Sequence, residues 1–248
     1  MTGTSSSRRD QVALAVIALG AFLLRVFPFF GADGAWSYRV DYDEGVYFSA
    51  ASLLLDGALP YRDFVFVHPP GQLVFLSLTS AWTHSSLGVD GAFALSRWIA
   101  ALLGTINVLL VARLVSRWPS ARWGALCAAA FYATYPELVQ VERGPFLEPL
   151  LNLVCLSLAI ALVNASEAST RKTHWLCLAG ALAGLAMSIK IWAIAWVIGA
   201  LWALSGFATR RQLLFFMGAA AAACGLLVLP FALQAPDNRE VGVENPVL

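Results

Sequence analysis

"GQLVFLSLTSAWTHSSL", residues 71–87, decides how many times this chain crosses a membrane. The segment is apolar enough to be a candidate crossing, yet Ser77, Thr79, Ser80, Thr83, His84, Ser85 and Ser86 make one side of it polar. A helix with one wet side and one apolar side suits the bilayer surface, where it lies flat instead of passing through.

Seven other apolar runs flank it, at residues 11–30, 92–112, 123–136, 145–163, 175–189, 190–206 and 212–234. Each is long enough, or nearly so, to cross about 30 Å of hydrocarbon at about 1.5 Å per residue. Composition agrees: 59% of residues are hydrophobic and 12% charged, against about 25% charged in a soluble domain. Basic residues then arbitrate, because short cytoplasmic loops collect Lys and Arg. With Arg8 and Arg9 inside and residues 71–87 not crossing, three further clusters also fall inside: Arg113, Arg117 and Arg122; Arg171 and Lys172; Arg210 and Arg211. If residues 71–87 crossed, all three would move outside.

The expected fold class is therefore all-α, a polytopic membrane protein with about seven transmembrane helices. Its parts are a cytoplasmic tail (1–10), a transmembrane module (11–234) and a short C-terminal tail (235–248). A large first extracytoplasmic loop, residues 31–91, carries interfacial helices. The first run is too long for the core of a secretory signal, and no clean small-residue cleavage site follows, so it reads as an uncleaved anchor.

Several functions drop out. With 16 basic against 15 acidic residues, the chain has no electrostatic footprint for nucleic acid. Cys127, Cys155, Cys177 and Cys224 lie in apolar stretches without CxxC spacing, which suits core packing better than disulfides or zinc. The sequon Asn164-Ala165-Ser166 falls on the cytoplasmic side of this topology and is discounted. No fixed-period repeat is present.

The topology sends every carboxylate except Asp10 and Glu167 to the outer face or its boundary. Asp41, Asp43 and Glu44 crowd into four residues of the outer loop. Asp41 and Glu44 form a candidate capping box for a helix from about Glu44 to Asp56, stopped by Gly57. Asp43 is left without a structural task, and clustered acids at a bilayer surface suit a cation, an acceptor hydroxyl or a proton. Asp41, Asp43 and Glu44 are thus also the candidate ligands for a divalent metal. His68 precedes Pro69-Pro70, which fix an extended approach to the next helix, and its imidazole could meet a phosphate.

At the same boundary lie Glu142, Arg143 and Glu148, with Pro145 expected to start a helix and Glu148 expected in its first turn. Lys190 interrupts two otherwise uncharged apolar runs, where it must either snorkel or find a carboxylate or phosphate partner. Arg25, near the outer end of the first run, raises the same question and is expected to snorkel. Acids and cations mixed at one face suit transfer of a group from a lipid phosphate. A carboxylate takes the acceptor's proton while cations stabilise the departing phosphate.

The order of these motifs resembles polytopic glycosyltransferases of the GT-C superfamily, in the branch of the protein O-mannosyltransferases and the lipid A aminoarabinose transferases. It is carried by Asp43-Glu44-Gly-x-Tyr47, Asp56-Gly57, His68-Pro-Pro-Gly71, Arg143-Gly-Pro-Phe-Leu-Glu148 and Gly184-Leu-Ala-Met-Ser-Ile-Lys190. The resemblance implies transfer of a sugar from a polyprenyl-phosphate donor to a lipid, glycan or protein hydroxyl on the outer face of the membrane. It implies a catalytic group of Asp43, Glu44 and Glu148, with Asp43 the base or the group that orients the acceptor. His68, Lys190 and Arg143 would hold the donor phosphate, and Asp41, Glu142 and Tyr47 would support the site. Such enzymes continue with more spans, so the chain reads as the N-terminal module only. The competing readings are a non-catalytic scaffold or truncated remnant, and a transporter or flippase of lipid-linked substrates with ionisable residues strung along a mid-membrane path.

Overall fold

The computed structural model describes residues 8–27, 41–118 and 122–235. The expected N-terminal and C-terminal tails and the first part of the outer loop fall largely outside the described residues. Among the described residues ten α-helices follow in order: α1 (Arg8–Val26), α2 (Tyr42–Leu55), α3 (Gly71–Thr79), α4 (His84–Val115), α5 (Arg122–Thr134), α6 (Pro136–Val141), α7 (Glu148–Glu167), α8 (Lys172–Ile189), α9 (Ile194–Ser205) and α10 (Arg210–Ala232). Among the described residues there is no strand, only an isolated bridge between Pro60 and Phe64. The all-α expectation holds, and a helix occupies each of the seven apolar runs.

The segment that decided the topology breaks into pieces. α3 ends at Thr79, and Ser80 leaves helical geometry at φ −136°, ψ −48°. A 3-10 turn covers Ala81–Thr83, and α4 begins at His84. Gly88, at φ 72° and ψ 169°, then kinks α4 four residues after its start; a left-handed φ of this kind is open to glycine at little cost. Nine residues of α3 cover only about 14 Å, short of the hydrocarbon thickness. The region divides differently from the expectation in one respect, since residues 84–87 belong to the first turn of α4 and not to the interfacial helix.

Taken without those breaks, Gly71–Val115 is one of three described stretches long and apolar enough to cross a membrane, with Glu148–Glu167 and Arg210–Ala232. Trp123–Thr134 and Ile191–Ser205 are shorter apolar helical stretches. α6 was not anticipated; Pro136 at its first position starts it directly after α5.

Between apolar helices in lipid there is little hydrophobic driving force, so close packing depends on small residues. α8 follows this rule. A Cβ at Gly180 would strike the Phe216 carbonyl, and one at Gly184 the Ala220 carbonyl, so both glycines let α10 sit directly on α8. Phe216 fills the core between them, with Leu158, Leu176, Ala179 and Ala183. A second core at the opposite end gathers Tyr47, Phe48 and Phe66 with Leu73 and Leu76 of α3, Leu147, Leu150 and Ile189. It is this core that fastens the loop carrying α2 and α3 onto the ends of α7 and α8.

Candidate active site

α2 starts where the sequence places it. The Asp41 side chain accepts from the Asp43 amide at 3.2 Å, the Glu44 Oε2 accepts from the Asp41 amide at 3.1 Å, and the capping box is complete. Asp56 caps the far end, and Gly57 follows at φ +90°. Capping turns Glu44 inward and leaves Asp41 and Asp43 exposed.

Glu44 is 1% exposed and paired with Arg97 of α4, whose Nη2 and Nε donate at 2.8 and 3.3 Å. The Arg97 guanidinium also lies 4.5 Å from the centre of the Phe93 ring. Gly144 packs so tightly on this carboxylate that a Cβ there would overlap Glu44 Oε1. Glu44, expected among the catalytic acids, therefore joins α2, α4 and the 142–147 loop. Asp41, Asp43 and Glu44 do not fit a metal. Among the described residues no three His, Cys, Asp or Glu side chains are arranged to hold one.

Glu142 also points inward, away from the place expected for it. It is fully buried, and its Oε2 accepts from Arg25 Nη2 at 2.6 Å. Its Oε1 accepts from Asn107 at 2.7 Å, Tyr132 at 2.7 Å and Asn152 at 3.0 Å. Arg25 does not snorkel: it is 0% exposed and also donates to the carbonyl of Ala21 at 3.1 Å. Glycine at position 104 makes room for this pair, since a Cβ there would overlap Arg25 Nε. This network ties α1, α4, α5 and α7 together.

The remaining candidates meet at the end of the bundle where α7 begins and α8 stops. α7 begins at Glu148 with Pro149 in its first turn, so Pro145 stands ahead of the helix and does not open it. α8 stops at Ile189, and Lys190 is extended at φ −148°, ψ 126° before a 3-10 turn. Lys190 Nζ donates to Glu148 Oε1 at 2.7 Å with both side chains about a quarter exposed, which places Lys190 in a pair. The corner at His68-Pro69-Pro70 docks against the end of α8: a Cβ on Gly71 would lie 2.6 Å from the Ser188 carbonyl. Gln72 fixes the other side by donating to the carbonyl oxygens of Phe146 at 2.8 Å and Pro145 at 3.3 Å. Arg143 is half-buried on the same loop, between Glu142 and Gly144.

His68 Nε2 lies 3.2 Å from the Tyr47 hydroxyl, and the two rings meet edge-on with Phe66 alongside. Electrostatics places the acids and Lys190 in the same neighbourhood. Burial, then the carboxylates of Asp43 and Glu148, push the Tyr47 phenol up to about 12. Burial and the Lys190 ammonium hold the His68 imidazole below its ordinary value, while Asp43 and Glu148 oppose them. Asp43, Tyr47, His68, Glu148 and Lys190 thus lie within electrostatic reach of one another.

Arg97 and Asn107 escaped the sequence reading although the signal was there. Each is a polar residue within the apolar run 92–112, the same anomaly that drew attention to Lys190. Tyr61 and Gln72 carried no such signal, because their partners are backbone carbonyls.

The all-helical bundle of apolar helices has the fold of the N-terminal part of a membrane glycosyltransferase of GT-C type. Residues 68–233 match the family of dolichyl-phosphate-mannose-protein mannosyltransferases, and the chain belongs to that family. Among solved structures it is similar to the S. cerevisiae protein O-mannosyltransferase Pmt1–Pmt2 complex bound to the sugar donor. The TM-score is 0.73 at 18% identity, over 94% of this chain and 35% of the yeast chain. The chain thus spans about a third of the length of that relative. A comparison with curated proteins gives no match.

Proposed function

We propose that this chain is the donor-side module of a membrane glycosyltransferase that moves a sugar from a polyprenyl phosphate to an acceptor hydroxyl on the extracytoplasmic face. The observation that carries this reading is the Glu148–Lys190 pair beside the Tyr47–His68 pair, with Asp43 exposed to the same space. Asp43 accepts the acceptor's proton as its oxygen attacks the anomeric carbon. The bond from that carbon to the phosphate oxygen breaks, and the polyprenyl phosphate leaves with the electron pair. Lys190, His68 and Arg143 stabilise the charge on the phosphate, and Glu148 aims the Lys190 ammonium. Asp41, Glu44 and Glu142 act at a distance, by capping α2 and fixing the helices that bear the site. The bound phosphodiester already carries one negative charge and a second develops on the bridging oxygen as it departs, so cations oriented toward that oxygen favour the transition state over the bound substrate.

A groove supports a lipid-linked donor. It has a volume of about 370 Å³ and is lined by Leu158, Leu162, Ala195, Trp196 and Gly199 of α7 and α9. Glu148 begins α7 and Lys190 directly precedes the turn into α9, so the groove lies on the same two helices as the ion pair, with Leu158 about 15 Å along α7 from Glu148. An isoprenoid chain fits its apolar walls.

Mass spectrometry of lipids retained by the purified chain tests this reading. Wild type should carry a polyprenyl phosphate or its glycosylated form, and Lys190→Ala should lose it. Equal retention by both, or none by wild type in membranes supplied with the lipid, would refute the assignment.

A further inference from the structure

Tyr61 is the one residue other than glycine with a left-handed backbone among the described residues, at φ +70°. A bulky side chain there costs on the order of 1–3 kcal/mol, and such strain persists only where its surroundings over-determine it. The surroundings do so here. The Tyr61 amide donates to Phe64 O at 3.0 Å. Its ring packs on the core shared by α2, α3, α7 and α8. Arg62 and Asp63 lock the turn from outside: Asp63 Oδ2 accepts from the Leu59 amide at 2.7 Å, while Arg62 grips both carboxylate oxygens at 2.9 and 2.7 Å.

The product of this turn is one hydrogen bond seven residues along the chain. The Tyr61 hydroxyl donates to the carbonyl oxygen of His68 at 2.6 Å. Pro69 and Pro70 follow, and neither has an N–H to help fix that peptide. The direction of the His68 imidazole, toward Tyr47 and the site of Asp43, Glu148 and Lys190, depends on the peptide being held. Burial pushes the Tyr61 phenol up to about 12, so it remains a donor across the physiological range.

We propose that Tyr61 is a positioning residue, whose hydroxyl clamps the His68 peptide so that the imidazole meets Tyr47 and faces the donor phosphate. The phosphate half of this statement rests on the glycosyltransferase reading; the His68 half does not.

The test uses the full chain in lipid nanodiscs with ¹³C- and ¹⁵N-labelled histidine. The three histidines are told apart by His84→Gln and His174→Gln. Tyr61→Phe keeps the ring and removes only the hydroxyl. It should move the His68 titration up toward its ordinary value and loosen the His68–Tyr47 contact. Affinity for undecaprenyl phosphate, read by ³¹P NMR, should fall about tenfold. Tyr61→Gly relaxes the backbone but also lacks the hydroxyl, and it should release His68 as the phenylalanine does. If His68 titrates as in wild type in either variant, the clamp is overturned and Tyr61 merely staples the loop. Wild type that binds no polyprenyl phosphate would sink the glycosyltransferase reading alone, with the His68 titration still judging Tyr61.

Discussion

Glu142→Leu should be the most damaging single change away from the site. The carboxylate it removes is fully buried and accepts from four side chains: Arg25, Asn107, Tyr132 and Asn152. Removing one partner of a buried ion pair costs about 3–5 kcal/mol, because the other charge stays behind without compensation. Among the described residues Arg25 would keep the carbonyls of Ala21 and Ala133, and Tyr132 and Asn152 would each lose the Glu142 acceptor. The double variant Arg25→Leu/Glu142→Leu makes the argument sharper. Replacing a simple buried pair by apolar residues is often neutral. Here it still leaves hydroxyl and amide donors without an acceptor, at about 1–3 kcal/mol each. The double variant should therefore recover part of the loss but stay below wild type. Reversible unfolding in mixed micelles with a denaturing detergent, followed by circular dichroism, measures both. A Glu142→Leu protein within about 1 kcal/mol of wild type would refute the reasoning, and a fully restored double variant would show a plain pair in place of a network.

Four further outcomes are expected. Asp43→Asn should abolish sugar transfer with the thermal midpoint unchanged, since Asp43 is exposed and its side chain makes no contribution to the capping box; residual turnover near wild type would count against it as the base. Glu148→Gln should weaken binding of a polyprenyl phosphate less than Lys190→Ala does, because it disorients the ammonium without deleting it; the reverse order in a binding titration would contradict their roles. Gly144→Ala should destabilise by about 1–3 kcal/mol, since its Cβ would push Glu44 off Arg97; an unchanged midpoint would show that the loop can shift freely. His68 resists protonation in the folded state, held below its ordinary 6.5 by burial and Lys190. Stability should be full above about pH 6.5 and decline as pH falls through the folded value, and His68→Phe should flatten that decline in melts run at several pH values.

Elements set by local chemistry were legible in the sequence. The capping box of Asp41 and Glu44 and the stop at Gly57 depend on neighbours within a few residues, and the structure reproduces them. Where a charge ends up depends on partners far along the chain, and there periodicity is silent. Nothing near Arg25 announces Glu142, so it was read as reaching for the headgroups. Nothing near Glu44 announces Arg97, so it was read as a catalytic acid. The pairing of Lys190 was foreseen as one of two alternatives, and Glu148 was already placed at its boundary. Tyr61 was invisible because its conformation comes from tertiary packing, which overrides the local preference of an aromatic residue.

The Arg25–Glu142 bond also sets a clock on biogenesis. Its partners lie 117 residues apart, and at about 5–20 residues per second the ribosome needs roughly 6–23 s to travel that distance. Throughout this interval α1 has emerged with its guanidinium and without the carboxylate that neutralises it. A lone arginine deep in a bilayer is costly, and an arginine near a helix end can rise to the headgroups. The first helix must therefore wait in a shallow position, and it settles only when the segment before α7 arrives. Final seating of the earliest part of the chain is thus governed by one of the later parts, and a nascent chain arrested before Glu142 should leave α1 accessible to water-soluble labels at Arg25.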